Sequence, residues 1–353
     1  MLELASERIA VPDDLESFNQ LAEDRGWSDG LPLVPPTEAR VQAMLRGLDP
    51  ARSLGPMPPS MGEATLEKLA VNAVMVGARP EWFRVIVTAA EAVLEPVFNL
   101  YAVQATTSPA TPMLVVNGPL ARQLGYNAAG NCLGPGWPAN ATTGRALRLA
   151  LQNIGGGAPH DLAKARPGLA AFDYATHGFP GKFTMCAAEN EAESPWEPLH
   201  VERGLKREES AVTALAVDST WELRDNASGT GADLLLCLAS TMASFGTANL
   251  QFGGQPAVAF GPELAAVVAR DGFSKQEVKR FLFQHARLDL TRLPLGQAER
   301  HKIARQSWTE VTAMPVCDSP EDIVVLVLGG AGVHEIFLPT FGSSRAVTQR
   351  IES

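Results

Sequence analysis

The stretch PMLVVNGPLARQLG at residues 112–125 has a counterpart further along the chain, PAVAFGPELAAVVARDG at 256–272. Each runs from a proline through a short apolar segment to Gly-Pro, then into Leu-Ala and helical spacing. An apolar run of this length closed by a turn signal reads as a buried strand. Proline just past the turn suits the first position of a helix. Two such strand-turn-helix units in one chain predict an α/β fold.

The likeness continues outward in the same order. TTGRALRLALQNIGG (142–156) parallels SKQEVKRFLFQHARL (274–288), and HGFPGKFTMCAAEN (177–190) parallels GGAGVHEIFLPTFG (329–342). A shared order points to internal duplication. It predicts two similar strand-turn-helix halves, 61–210 and 211–353, related by a pseudo-twofold axis, behind an N-terminal region, 1–60, of helices and a Pro-rich arm. The arm is GWSDGLPLVPPT (26–37), too rich in proline and glycine for a regular element. Before it, residues 12–25 open on Pro-Asp-Asp, a helix-start signal. After it, Thr37 is placed to cap a helix, the Pro-rich run 54–60 breaks the chain, and 62–77 and 81–95 read as two largely buried helices. The helix at 142–156 is expected to begin at Thr142 or Thr143.

At 353 residues, 46% hydrophobic and 19% charged, the composition is that of a soluble globular protein of one large domain or two intimate ones. A net charge of −10 without a basic run argues against nucleic acid or an anionic membrane as partner. The N-terminus lacks a signal-type apolar run, and stretches such as DIVVLVLGGAG are too short to span a bilayer. Four separated cysteines without a CxxC pair imply a reduced, cytoplasmic protein. GGAG at 329–332 lacks the full dinucleotide pattern, and Walker A and G-x-S-x-G are absent, so no organic cofactor is expected.

Comparing the halves isolates material that packing does not require. The first half inserts NAAGNCLGPGWPANAT (127–142), where the second has only Arg270 to Ser274. After its Gly-turn the first half carries Cys186, Glu189, Asn190, Glu191 and Glu193, where the second has Leu338, Pro339 and Phe341. Gly- and Pro-rich loops held by a packed scaffold are where chemistry is expected.

Cys132, followed by Leu-Gly-Pro-Gly, is a candidate nucleophile whose neighbouring backbone N–H groups suit an oxyanion; the structural alternative is a small residue wedged in a turn. Cys186 is the second candidate thiol. A strand there puts Lys182, Thr184 and Cys186 on one face, and Lys182 or His177 nearby lowers a thiol pKa; the alternative is an interior strand thiol. His177 is the first choice of general acid or base and His200 the second, while His334 approaches from the other half across the pseudo-twofold. Cys237, in an apolar helix, reads as core.

Glu189, Glu191 and Glu193 alternate, so an extended segment turns all three to one side. With His177 or His200 they suit a divalent metal, although no HExxH-type spacing is present; salt bridges to Arg145, Arg203 or Arg207 are the structural alternative. Asn117, Asn127, Asn131, Asn140, Thr142, Thr143 and Arg145 supply hydrogen-bonding groups for a polar or carboxylated small substrate, with Arg145 as an anion clamp.

Three segments, GWSDGLPLVPPT, NCLGPGWPANATTGRALRL and HGFPGKFTMCAAENEAESPWEPLHVERG, resemble a bacterial family that occurs beside, or fused to, small proteins with a UGSC motif (selenocysteine or cysteine, Gly, Ser, Cys). The tetrapeptide itself does not occur in this chain. The resemblance implies an enzyme-like site at these positions and a UGSC-type protein partner that carries the redox work. It brings no catalytic assignment.

The resulting expectation is a cytoplasmic, homodimeric small-molecule enzyme, a lyase or hydrolase. Cys132 or Cys186 acts as nucleophile, His177 as acid/base, and Lys182 and Glu189 assist. The alternatives are a non-catalytic or co-catalytic subunit of a two-component thiol or selenol enzyme, and a carboxylate–histidine metalloenzyme.

Overall fold

Two four-stranded sheets stack face to face between layers of helices in the computed structural model, which describes residues 3–11, 13–166 and 168–352. Pro12, the first residue of the helix-start signal, lies outside the described residues. The N-terminal region forms α1 (Leu15–Asp24) and α2 (Glu38–Leu45), then a hairpin of β1 (Ser53–Met57) and β2 (Gly62–Thr65). There follow α3 (Leu66–Met75), α4 (Phe83–Leu94), α5 (Leu100–Ala105), β3 (Thr111–Asn117), α6 (Pro119–Gln123), α7 (Pro138–Asn153), α8 (Leu162–Ala165), β4 (Cys186–Ala188), α9 (Leu199–Glu202) and β5 (Ala211–Val217). The remainder is β6 (Trp221–Arg224), α10 (Gly231–Met242), α11 (Ala248–Phe252), β7 (Ala257–Phe260), α12 (Pro262–Arg270), α13 (Lys275–His285), β8 (Arg287–Asp289), α14 (Leu295–Ala304), β9 (Ala313–Pro315), β10 (Val324–Val327), β11 (His334–Leu338) and β12 (Val347–Arg350).

The first sheet has the order β12-β5-β3-β4 and the second β6-β11-β7-β10. In each, one pair is parallel, β3 with β4 and β7 with β10, and the other neighbours are antiparallel. The period-two alternation of side chains sorts the strands into three cores. Leu114, Val116, Cys186, Ala188 and Val212 pack with Leu69, Ile86 and Leu147 of the first helical layer. Met113, Val115, Ala187 and Leu215 meet Ala257, Ala259, Val324 and Leu326 between the sheets. Val258, Phe260, Val325 and Val327 pack with Leu234, Leu238 and Leu282 of the second helical layer. Each fully buried Leu, Val or Met side chain contributes about 1.5–3 kcal/mol, so the shared middle core binds the two sheets into one body.

The last strands cross between the sheets. β6 follows β5 in sequence but pairs with β11, and β12 returns from the C-terminus to pair with β5. The boundary drawn at residue 210 therefore falls inside the first sheet, since β5 lies beside β3.

Three expectations are corrected. The Pro-rich run 54–60 does not simply break the chain: Ser53–Met57 pairs with Gly62–Thr65, and helix α3 begins only at Leu66. Helix α7 starts at Pro138, so Asn140 and Thr142 lie in its first turns rather than in a loop. The match of 177–190 with 329–342 does not hold topologically. β4 pairs parallel to β3, whereas β11 pairs antiparallel to β7, and it is β10 that takes the place beside β7 that β4 takes beside β3. A shared Gly-x-x-Gly turn followed by apolar residues was not enough to tell a parallel from an antiparallel strand.

Among the described residues no single helix is long and apolar enough to cross a membrane. The apolar pair Pro80–Leu94 and Pro96–Ala105 bends by 71°, and nine of the twelve residues of α4 are buried.

Candidate functional site at the ends of the parallel strands

β3 and β4 run side by side and end together at Asn117 and Ala188. The C-terminal ends of neighbouring parallel strands, where the connections diverge, are the usual position for ligands in α/β sheets. Beyond β3 the chain turns at Gly118 (φ 85°), where an added Cβ would stand 2.3 Å from the carbonyl oxygen of Glu209, so only glycine fits. Beyond β4 it enters the acidic segment.

The two connections are stitched together by Asn117. Its Nδ2 donates to Glu189 Oε2 at 2.7 Å and to Glu191 Oε1 at 3.0 Å. The Gly118 N–H donates to Glu191 Oε1 at 2.6 Å, and the Leu199 N–H to Glu189 Oε2 at 2.7 Å. His200, fully buried on α9, places Nδ1 3.9 Å from Glu191 Oε1.

Four buried polar atoms here make no well-formed hydrogen bond among the described residues: Asn117 Oδ1, Glu189 Oε1 and both ring nitrogens of His200, whose ring lies close to the backbone of Lys206 and Arg207. Nowhere else in the described residues do so many gather, and native interiors leave few such atoms unmatched. Burial raises the Glu189 carboxyl above the ordinary carboxylate range, against the pull of Lys275 and its hydrogen bonds. Burial also lowers the His200 imidazole, opposed by Glu191. An acid raised and a base lowered approach each other in proton affinity, which suits proton transfer near neutral pH.

Loops from both sheets close around this cluster. Asn190 donates its N–H to Val327 O at 2.8 Å and its Nδ2 to Gly329 O at 3.0 Å and to Glu193 Oε2 at 2.8 Å. The Gly329 N–H donates to Ala128 O at 2.8 Å. Gly130 and Gly330 touch through their backbones, for a Cβ on Gly330 would lie 2.9 Å from the Gly130 nitrogen.

The cysteines occupy different cores. Cys132, 6% exposed, belongs to the core between the sheets, and Cys186, 3% exposed, to the core beneath the first helices, so they lie on opposite faces of the first sheet. Burial raises the pKa of both thiols, which disfavours the thiolate that a nucleophile requires. His177 is exposed and has no hydrogen bond or ion pair among the described residues. Lys182 closes a 3-10 turn rather than lying in a strand with Cys186. It is ion-paired with Asp173 at 2.5 Å, and burial lowers its ammonium pKa.

Arg145 is not available to an anionic substrate. Its guanidinium holds Asp29 in the Pro-rich segment through two bonds of 2.8 and 2.9 Å and reaches the carbonyls of Leu31 and Pro32. Gln152 and Asn153 of the same helix grip Gly26, Ser28 and Trp27, so α7 is the bed on which this segment lies. Asn140 is a scaffold group: it accepts from the Asn127 N–H at 2.8 Å and donates to Asn127 O at 2.9 Å and Cys132 O at 3.0 Å. Asn131, in left-handed backbone (φ 60°), donates to Pro135 O at 2.9 Å, and Thr142 Oγ1 donates back to Pro138 O at 2.7 Å. His334 is exposed and paired with Glu222 at 2.7 Å.

Of the residues expected in the site, the structure thus brings Asn117 and Glu189 together, with His200 and Glu191 beside them. Glu193 turns to Asn190 instead of joining the other two glutamates. Among the described residues no group of three or more His, Cys, Asp or Glu side chains is placed to hold a metal ion. Asp218, which accepts from Ser108 Oγ at 3.0 Å and is raised by burial to about 6, has no sequence signal beyond its place at the end of a strand. No family model matches the chain, and the curated proteins offer no match to it.

Proposed function

We propose that the chain is a small-molecule enzyme, a lyase or hydrolase working without an organic cofactor, whose proton transfers are made by Glu189 and His200. The observation that carries this reading is the set of unpartnered buried atoms on Asn117, Glu189 and His200 at the strand ends. A substrate hydroxyl supplies the missing partners: its oxygen accepts a proton or hydrogen bond from Glu189, and its O–H donates to Asn117 Oδ1 or to the neutral imidazole. Glu191, itself held by the Gly118 N–H, accepts from Asn117 and keeps it in place. The thiols of Cys132 and Cys186 are given no chemical step, because both are buried and held protonated.

The test is untargeted mass spectrometry of a cell extract incubated with the purified protein. The native chain and a Cys132→Ser, Cys186→Ala double variant should deplete the same compounds, while Glu189→Gln and His200→Asn should leave them. Equal depletion by Glu189→Gln, or none by the native chain, contradicts the proposal.

A second reading has its own support. With both site-region thiols buried, any thiol or selenol chemistry would come from a UGSC-type partner, making this chain the co-catalytic subunit. Turnover that appears only when such a partner is added favours it. The common pairing order of the two sheets supports a duplication about a pseudo-twofold axis. A cytoplasmic homodimer belongs to the same proposal, and sedimentation of the purified chain decides its dimeric part.

A further inference from the structure

A cavity of about 310 Å³ lies between α2, the start of α4 and Glu352, and shares no residue with the strand-end site. Three guanidinium groups line it, those of Arg46, Arg52 and Arg84, together with the carboxylates of Glu91 and Glu352. Arg52 is committed to Glu91 at 2.8 Å. Arg46 and Arg84 have no ion pair or side-chain hydrogen bond among the described residues. Three cations against two carboxylates leave the cavity one positive charge in a chain whose net charge is −10. Its apolar wall is formed by Leu48, which is exposed, and Val87, with Leu45 and Phe83 buried behind them. Arg46 holds left-handed backbone (φ 51°) at the end of α2, a conformation that costs a residue with a Cβ roughly 1 kcal/mol. It is the left-handed residue that ends α2, its N–H returning to Gln42 O.

We propose that this cavity binds a small organic monocarboxylate with an apolar body. Arg46 and Arg84 take the carboxylate, which a guanidinium fork matches in geometry and charge, and Leu48 and Val87 take the tail. One surplus positive charge suits a monoanion better than a phosphate dianion, and the apolar wall favours a ligand that is more than an anionic group.

Isothermal titration calorimetry of the full chain with hexanoate, hexanamide and inorganic phosphate tests this. Hexanoate should bind, with hexanamide and phosphate each weaker by about ten-fold or more, a ratio set by losing either the charge or the apolar contact. Arg46→Gln and Arg84→Gln should each weaken hexanoate by a similar factor, with Arg84→Lys recovering part of the loss. Equal binding of hexanoate and hexanamide, tighter binding of phosphate, or no binding of hexanoate at millimolar concentration overturns the proposal. The acid–amide comparison uses the native chain and so does not depend on any variant folding.

Discussion

Glu335 lies in β11 with 2% of its surface exposed and neither carboxylate oxygen paired among the described residues, and burial, aided by Asp225, raises it to about 8. A group raised in the folded state from 4.5 stabilises most below its unfolded pKa, and that contribution is lost as pH rises through about 8. The loss is of the order of 5 kcal/mol. The melting temperature should therefore fall between about pH 5 and 8 and level off above that, and Glu335→Gln should flatten the fall; a flat native profile contradicts this. Cys237 is exposed while Cys132, Cys186 and Cys317 are buried, so a chromogenic disulfide reagent should titrate one thiol in the native protein and four in denaturant. Prompt reaction of a second native thiol would put Cys132 or Cys186 back among the nucleophile candidates. At this scale the sequence was a partial guide. Asn117 and Glu189 were readable because strand ends and alternating acids have local signatures. The exposure of Cys237, amid LLLCLAS, was not, because its side of α10 has no covering element and that is decided by tertiary packing. Arg145 read as an anion clamp because its partner Asp29 lies 116 residues away and nothing local announces it.

At Gly118 an element is joined to the site, and the element-scale prediction belongs there. Its positive φ and the 2.3 Å approach of Glu209 O mean that Gly118→Ala must move backbone, at a cost of about 2–4 kcal/mol in urea denaturation. Gly125→Ala is the control: it shares a positive φ (76°) but has nothing within 4 Å, and should cost about 1 kcal/mol. Equal costs at the two positions would mean that contact with the Glu209 strand approach contributes nothing. The elements β3-α6 and β7-α12 were legible because an apolar run, Gly-Pro and helical spacing are all local signals. The hairpin at 53–65 was not: prolines and glycines argue against strands in general, but a two-stranded edge hairpin tolerates them. The early start of α7 at Pro138 was hidden for a related reason, since Gly134-Pro-Gly read as loop past the point where Pro138 opens the helix.

Across the whole molecule, β12 returns from the C-terminal part of the chain to complete the first sheet, and the two sheets share the core between them. Hydrogen exchange should accordingly give β3 and β7 the same opening free energy, with protection in both lost at one denaturant concentration. Two separated transitions would mean that the sheets fold independently despite their shared core. Neither the return of β12 nor the order of the strands could be read from the repeat, because strand pairing is non-local and edge strands of four residues carry little pattern. The functional account rests on the interior that this topology creates, in which Glu189 is held away from water beside Asn117 and His200. The direct measurement is a carbon-13 titration of glutamate side-chain carboxyls, with Glu189 assigned by the signal missing in Glu189→Gln. A midpoint above the ordinary glutamate range is predicted, and a midpoint at or below that range would contradict the assignment of Glu189 as the proton-holding group.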